Sequence, residues 1–324
     1  MLKRFVTLSR NEEISLEDGS TYFMNSRRAR GLSEETIRYY TDNVKRFCEF
    51  VGWKTLCIEI CEEHIFEYIN YMREELAVKL TTVNTRLRAV RCFLYSLMKK
   101  GFIEKFDIAL IRAPKEPIEI YTDAEIESLL EKPVTESFAQ YRNWVMVCHL
   151  LATGNRLGTI VNIKVGDVLF HRGEILLTHV KNKAQYRIPI PAGYQQILEE
   201  YLELYDGGED DYLFPSVYGG AMSKNTFEDA INTYNAGRGV HRKRQVHLYR
   251  HTFATKWLLN GGDALRLQEM LGHKTPAMVQ EYVHFTSTDL KRDLEKHNPF
   301  SVAITLKEEK QTQRKAMRLK RAPA

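Results

Sequence analysis

Apolar side chains in the first hundred residues recur at helical spacing. Ile37, Tyr40, Val44, Phe47 and Val51 fall near a 3.6-residue period. Ser33 precedes them as an N-cap, and Glu34 and Glu35 suit the positive end of a helix dipole. A second helix is predicted over 62–76. A third starts at Thr81 or Thr82 and ends before Gly101, a residue suited to the position after a helix. Its apolar face is Val83, Leu87, Val90, Leu94 and Leu97; its other face holds Asn84, Arg86, Arg88 and Arg91. A short fourth helix is expected over 103–111. Four helices joined by short links make a small bundle.

The run Ala113-Pro114-Lys115-Glu116-Pro117 interrupts this pattern, because two prolines favour extended backbone and forbid helix. It divides the chain into a helical domain (15–112), a linker (113–121), a second domain (122–300) and a tail (301–324). In the second domain Thr122 caps a helix that runs to Leu130, with Asp123 and Glu125 in its first turn. The stretch 141–152 is strongly apolar and reads as a buried helix. "TGNRLGTIVNIKVGDV" follows as a turn and another helix. "GEILLT" and "YRIPIP" alternate apolar with polar residues on either side of a turn at Lys181-Asn182-Lys183, the pattern of a small antiparallel sheet. Helices resume near Tyr194. The expected fold is mainly α: a four-helix N-terminal domain, then a mixed α/β domain with one small antiparallel sheet.

A length of 324 residues fits two domains, and 44% hydrophobic with 27% charged residues is an ordinary globular balance. No run of 18 or more apolar residues is present, and the opening MLKRFVTLSRNEE is too short and polar for a signal peptide. Five cysteines, Cys48, Cys57, Cys61, Cys92 and Cys148, read as free thiols in a reducing cytoplasm. Cys57, Cys61 and His64 resemble half of a zinc site, but no second pair of ligands follows, so core packing is expected and no metal. The net charge of +5 equals the excess of seven Lys/Arg over two Glu in residues 301–324, so the rest of the chain is neutral. A nucleic-acid partner would therefore depend on local basic faces.

Several cationic or nucleophilic groups stand out. Arg156 follows the buried helix in Thr153-Gly154-Asn155-Arg156. Lys181 lies on the strand turn, eight residues before Pro189. "HLYRHTFATKWLLNGG" places two histidines and an arginine at a helix start, with His247 and Arg250 three apart and thus on one side. Leu271-Gly272-His273 and then Tyr282 complete the set. Taken singly these residues are ordinary: a surface arginine, a solvated lysine, a loop histidine, one of 17 tyrosines. Together, in this order and spacing, they resemble the tyrosine recombinase, or phage integrase, family. The resemblance is strong over 122–300 and looser over the helical domain, which is similar to the family's core-binding domain.

The resemblance implies a DNA strand transferase. Arg156 and Arg250 would hold the nonbridging oxygens of a phosphodiester, which resists attack until fixed positive charge offsets its own. His273 would donate a further hydrogen bond, and Tyr282 would attack as the nucleophile. His247 would take the phenol's proton, and Lys181, with Lys183 as the alternative, would protonate the leaving 5′ oxygen. The product is a 3′-phosphotyrosine beside a free 5′-hydroxyl, and the conserved bond energy removes any need for a cofactor. Neither a Gly-x-x-x-x-Gly-Lys-Ser/Thr loop nor an acidic cluster for Mg²⁺ is apparent. Double-stranded DNA is the implied partner, clamped by two domains and bound by a homotetramer on two duplexes, with no membrane. Arg86, Arg88 and Arg91 would face a groove and its phosphates. Arg242, Lys243 and Arg244 form either a second basic loop near phosphate or a solvated face. A segment beyond Phe300 would dock on a neighbouring protomer or touch DNA. A type IB topoisomerase and a catalytically silent DNA-binding relative are the alternatives. One departure is Thr159, where the family commonly carries a glutamate three residues after its first arginine.

Overall fold

Among the described residues, each of two units, divided between residues 116 and 117, has its own large hydrophobic core, and the second unit carries a smaller cluster as well. The computed structural model describes residues 13–112, 114, 117–178, 185–243, 245–273, 275–276, 279–280 and 282. Lys181, Lys183, Arg244 and the tail 301–324 lie outside the described residues.

In the first unit four α-helices enclose Phe23, Phe47, Tyr68, Leu87, Phe93 and Leu94. They are α1 (Leu16–Ala29), α2 (Glu34–Val51), α3 (Glu62–Asn70) and α4 (Leu80–Met98). Ser15 and Ser33 cap α1 and α2, their hydroxyls accepting from Asp18 N at 3.2 Å and Thr36 N at 3.4 Å. A π-helical turn, Tyr71–Glu75, extends α3 to about the predicted end. The count of four helices matches the expectation, but the members differ. Helix α1 escaped the pattern because its sequence is polar and it buries only Leu16, Gly19, Phe23 and Met24. Gly19 is the contact point: a Cβ there would stand 3.0 Å from Leu97.

Residues 103–111, expected to be a helix, are not helical. An extended strap buries Ile103 and Ile108 in the same core while side chains satisfy its backbone. Asn84 Nδ2 donates to Ile111 O at 2.7 Å, Ile111 N donates to Asn84 Oδ1 at 2.9 Å, and Ile108 N donates to the Tyr95 hydroxyl at 3.1 Å. Asn84 is therefore buried, not part of α4's polar face.

The second unit is built around α6 (Phe138–Thr153), whose Trp144, Val145, Met146, Val147, Cys148 and Leu150 are all buried. Helices α5 (Asp123–Leu130), α8 (Ala192–Tyr205), α9 (Lys224–Gly237) and α10 (Gln245–Leu259) pack against it. Thr122 caps α5 in a reciprocal box with Glu125. The helix expected after Arg156 is a single turn, α7 (Leu157–Ile160), because the chain turns into a 3₁₀ segment at Val165–Asp167. The sheet has three antiparallel strands in the order β1 (Val168–Leu169), β2 (Glu174–Leu177), β3 (Tyr186–Pro189), with Ile175 opposite Ile188 and Leu177 opposite Tyr186. Ile175, Leu177 and Ile188 point into the core. Tyr121, placed in the linker by the sequence, is a core residue of this unit; its amide donates to Thr252 Oγ1 at 2.9 Å.

Asn84→Ala removes both side-chain partners of Ile111 and is expected to cost about 2 kcal/mol. The loss should appear as a lower urea midpoint for the first unit's transition, with the second unit's transition unmoved.

Candidate active site

The site forms where three chain segments of the second unit meet: the end of α6, the first turns of α10, and the end of α11 (Ala264–Leu271). Gly154 ends α6 with φ of 60°, and a Cβ there would lie 2.6 Å from the Phe253 ring. The turn this permits brings Arg156 to the N-cap of α7. Gly272 ends α11 in the same left-handed way, and a Cβ on it would lie 2.8 Å from the Tyr186 hydroxyl. Helix α10 is anchored at its start by a buried polar cluster. Tyr249 Oη donates to Asn235 Oδ1 at 2.8 Å, Asn235 Nδ2 donates to Tyr121 Oη at 3.1 Å, and Asn235 also pairs with Gln245.

Both predicted arginines reach one carbonyl. Arg156 Nη1 donates to Leu271 O at 3.1 Å, and Arg250 Nη2 donates to the same oxygen at 3.0 Å. Arg250 Nη1 also donates to Gly154 O at 2.7 Å. Neither guanidinium has a carboxylate partner among the described residues. Burial, and secondarily the Arg156 charge, push the Arg250 guanidinium down to about 10. Thr159 is buried on α7, and its amide donates to Arg156 O at 2.8 Å. The contacts that orient the Arg156 guanidinium therefore come from backbone carbonyls of the Leu271-Gly272 turn. Behind the Arg156 turn, Asn155 Nδ2 lies 3.4 Å from His149 Nε2, and His149 Nδ1 lies 2.8 Å from the Tyr194 hydroxyl. Complete burial lowers the His149 imidazole to about 3.

His273 joins the pair, its Nε2 2.6 Å from Arg250 Nη2. Arginine only donates, so Nε2 accepts and the neutral ring carries its proton on Nδ1. That Nδ1 is buried and has no hydrogen-bond partner among the described residues. Burial, then the Arg250 and Arg156 charges, hold His273 down at about 4, so the ring is neutral at pH 7.

Tyr282 is buried among Ala254, Leu267, Leu271 and Val279, at 4% exposure. Its hydroxyl lies 2.9 Å from His251 Nδ1. His251 follows Arg250 directly and stands one helical turn beyond His247, which is exposed; the two imidazoles are 5.7 Å apart between centroids. Sequence reasoning fixed on the His-x-x-Arg pair and gave His251 no role. The i, i+4 spacing of the two histidines was the available signal. Tyr186 on β3 was missed as well. Both arginines lie within electrostatic reach of its phenol, although burial raises that phenol overall.

The remaining candidates lie elsewhere. Arg242 donates from Nε and Nη2 to the two Glu125 carboxylate oxygens at 2.9 and 3.2 Å, so its charge is already matched within the chain. Lys243 is exposed. In the first unit Arg88 is exposed while Arg86 and Arg91 are half-buried. Arg88 and Arg91, three apart, share a side of α4; Arg86 is two residues before Arg88 and points to another. Cys57 is a core residue, and Cys61 Sγ lies 3.2 Å from His64 Nδ1 at the start of α3.

Residues 119–288 match the model of the phage integrase family, and 21–103 match that of a phage integrase N-terminal SAM-like domain. The chain belongs to the phage integrase family, the tyrosine recombinases. Tyrosine recombinase XerD of Halalkalibacterium halodurans is 27% identical over 83% of this chain and 92% of its own. XerD of Yersinia pestis is 28% identical over 83% and 93%. Among solved structures, the Tn1549 transposon integrase in complex with transposon right end DNA superposes with a TM-score of 0.71 at 20% identity, covering 87% of this chain and 99% of that one. XerH bound to a palindromic difH substrate gives 0.67 at 21% identity, covering 88% and 85%.

His149 and His273 are held neutral in the folded chain, at about 3 and about 4, below the ordinary histidine value. The unfolded chain therefore binds more protons as pH falls, and the second unit's stability should be complete above about pH 6.5 and decline below it. Thermal midpoints between pH 7 and pH 4 should show the decline, on the order of 1 kcal/mol per pH unit, and His149→Gln should make it shallower.

Proposed function

We propose that this chain, a tyrosine-type site-specific DNA recombinase, cleaves and rejoins DNA strands through a 3′-phosphotyrosine on Tyr282, as a homotetramer on two duplexes. The observation that supports this most is the convergence of Arg156 and Arg250 on the Leu271 carbonyl with no carboxylate beside them among the described residues. Two guanidiniums held by neutral carbonyls keep their full charge for an anion. A scissile phosphate bound against them would take donors from both forks, and His273 Nδ1–H is a further donor without a partner among the described residues. Positive charge fixed before the reaction favours the pentacoordinate transition state, where negative charge on the nonbridging oxygens is greatest.

Tyr282 Oη would then form a bond to phosphorus while the bond to the 5′ oxygen breaks, with Lys181, or Lys183, giving that oxygen its proton. His247 is exposed on the same helix as Arg250. Arg88 and Arg91 on one side of α4, together with Arg86, supply cationic groups for duplex backbone. Most of the affinity should then be salt-sensitive. Membership of the family, and relatives solved on DNA that include a lambda integrase tetramer bound to a Holliday junction, support the same reading.

Incubation of the full chain with a random pool of nicked duplexes should yield a protein–DNA adduct that survives detergent. Tyr282→Phe should yield none, and Arg156→Ala or Arg250→Ala should slow its formation by at least about 100-fold. Strand exchange between two duplexes carrying the recovered site separates a recombinase from an enzyme that only relaxes supercoils. Absence of any adduct would leave a DNA-binding protein without catalysis.

A further inference from the structure

The family's His-x-x-Arg pattern points to His247 as the acceptor of the nucleophile's proton, but the imidazole found against the nucleophile is that of the next histidine on the helix. We propose that His251 is the catalytic residue that accepts the Tyr282 proton during cleavage and returns it during rejoining. This rests on Tyr282 being the nucleophile.

The geometry is direct. His251 Nδ1 stands 2.9 Å from Tyr282 Oη, within the distance a general base requires, and the two rings lie 5.7 Å apart at 46°. The contact spans 31 residues of sequence, so folding, not local chain geometry, brings it about. Tyr282 is buried in an apolar cluster, so bulk water has little access to its hydroxyl and a protein group must take the proton. Among the described residues, the titratable and charged groups facing His251 are His247 and Arg250 from its own helix and Tyr282 from the segment beyond α11. Burial, then His247 and Arg250, lower the His251 pKa, so the imidazole is neutral and open to a proton at pH 7. The Arg250 charge is felt at the His251 ring, so the acceptor lies within electrostatic reach of that guanidinium.

The phenol O–H donates to His251 Nδ1. As Oη forms its bond to phosphorus, the proton passes to Nδ1 and the ring becomes cationic. The phosphorus–O5′ bond breaks, and the 5′ oxygen takes its proton from the lysine of the strand turn. In the reverse direction the now-neutral lysine takes the proton of the 5′-hydroxyl as that oxygen bonds to phosphorus, the phosphorus–Oη bond breaks, and the imidazolium returns its proton to Oη. Burial, then His247 and Arg250, make the imidazolium an unstable product, which favours that return. The His247 ring lies 5.7 Å from the His251 ring between centroids, tilted at 57°.

The test uses the full chain and duplexes recovered from a random pool as adducts of the unsubstituted protein, rebuilt with a nick beside the cleaved bond. Single-turnover adduct formation is followed from about pH 5.5 to about pH 9.5, across the imidazole and towards the phenol range. The unsubstituted protein should reach a plateau above the imidazole titration. His251→Gln should react about 100-fold more slowly at pH 7. Its rate should climb about tenfold per pH unit, because solvent must now ionise the phenol. His247→Gln should lower the rate but keep the flat pH profile above the imidazole titration, and imidazole in the buffer should restore part of the rate to His251→Ala. The proposal is overturned if His251→Gln reacts within about threefold of the unsubstituted protein, or if it is slower by one factor at every pH with no imidazole rescue, the mark of a packing role. Should these variants fold poorly, ¹⁵N-histidine spectra of the unsubstituted protein and of Tyr282→Phe decide: the His251 titration must move when the phenol oxygen is removed, and an unmoved titration sinks the proposal. An unsubstituted protein that forms no adduct, or a Tyr282→Phe chain that still forms one, refutes the parent reading; a normal His251→Gln beside an inert Tyr282→Phe refutes only this one.

Discussion

The site depends on one carbonyl. Leu271 O accepts a hydrogen bond from both Arg156 and Arg250, residues that arrive from segments 94 positions apart in the chain. Two like charges would separate if nothing neutral and electron-rich lay between them. A carboxylate there would hold them more firmly, but it would also satisfy them. A backbone oxygen holds them without cancelling their charge. The left-handed turn at Gly272 aims that oxygen, and the same turn carries His273 back onto Arg250. The placing of the two guanidiniums is thus a property of how α11 ends.

The cost of this arrangement is visible in the histidines. A ring beside two guanidiniums cannot readily take a proton, and burial adds to the penalty. His273 is consequently a neutral acceptor toward Arg250 in the unliganded chain, and its remaining N–H faces no partner among the described residues. Family resemblance assigns this histidine to the phosphate as a donor. The structure adds that its Nε2 is already engaged, so a donor role falls to Nδ1 or requires the ring to leave Arg250.

Much of this was legible in the sequence, for definable reasons. Glycines at 154 and 272 mark turns that only they adopt easily, and each sits within two residues of a site residue, so short motifs carried Arg156 and His273. Arg250 was found through the family's His-x-x-Arg pattern in order with the other motifs, since the spacing alone is shared by His241 and Arg244. His251 was not, because its importance lies in a contact with a residue 31 positions away, which no local spacing encodes. Helix α1 was missed because Gly19 and a polar composition hide a helix that packs by close approach. The strap at 103–111 was misread for the opposite reason. Its isoleucines suit a helix, but the side chains of Asn84 and Tyr95, distant in sequence, make an extended backbone affordable.

That strap bears on how such proteins are pieced together. The N-terminal family match covers 21–103, yet the first unit's core includes Ile14 and Leu16 before it and Ile108 after it. A chimera joined at the edges of the match would lose both flanks, baring the groove they cover and leaving Asn84 with no backbone to hold. Exchange of this module between relatives would succeed only with seams placed before Ile14 and beyond Ile111, where the prolines begin.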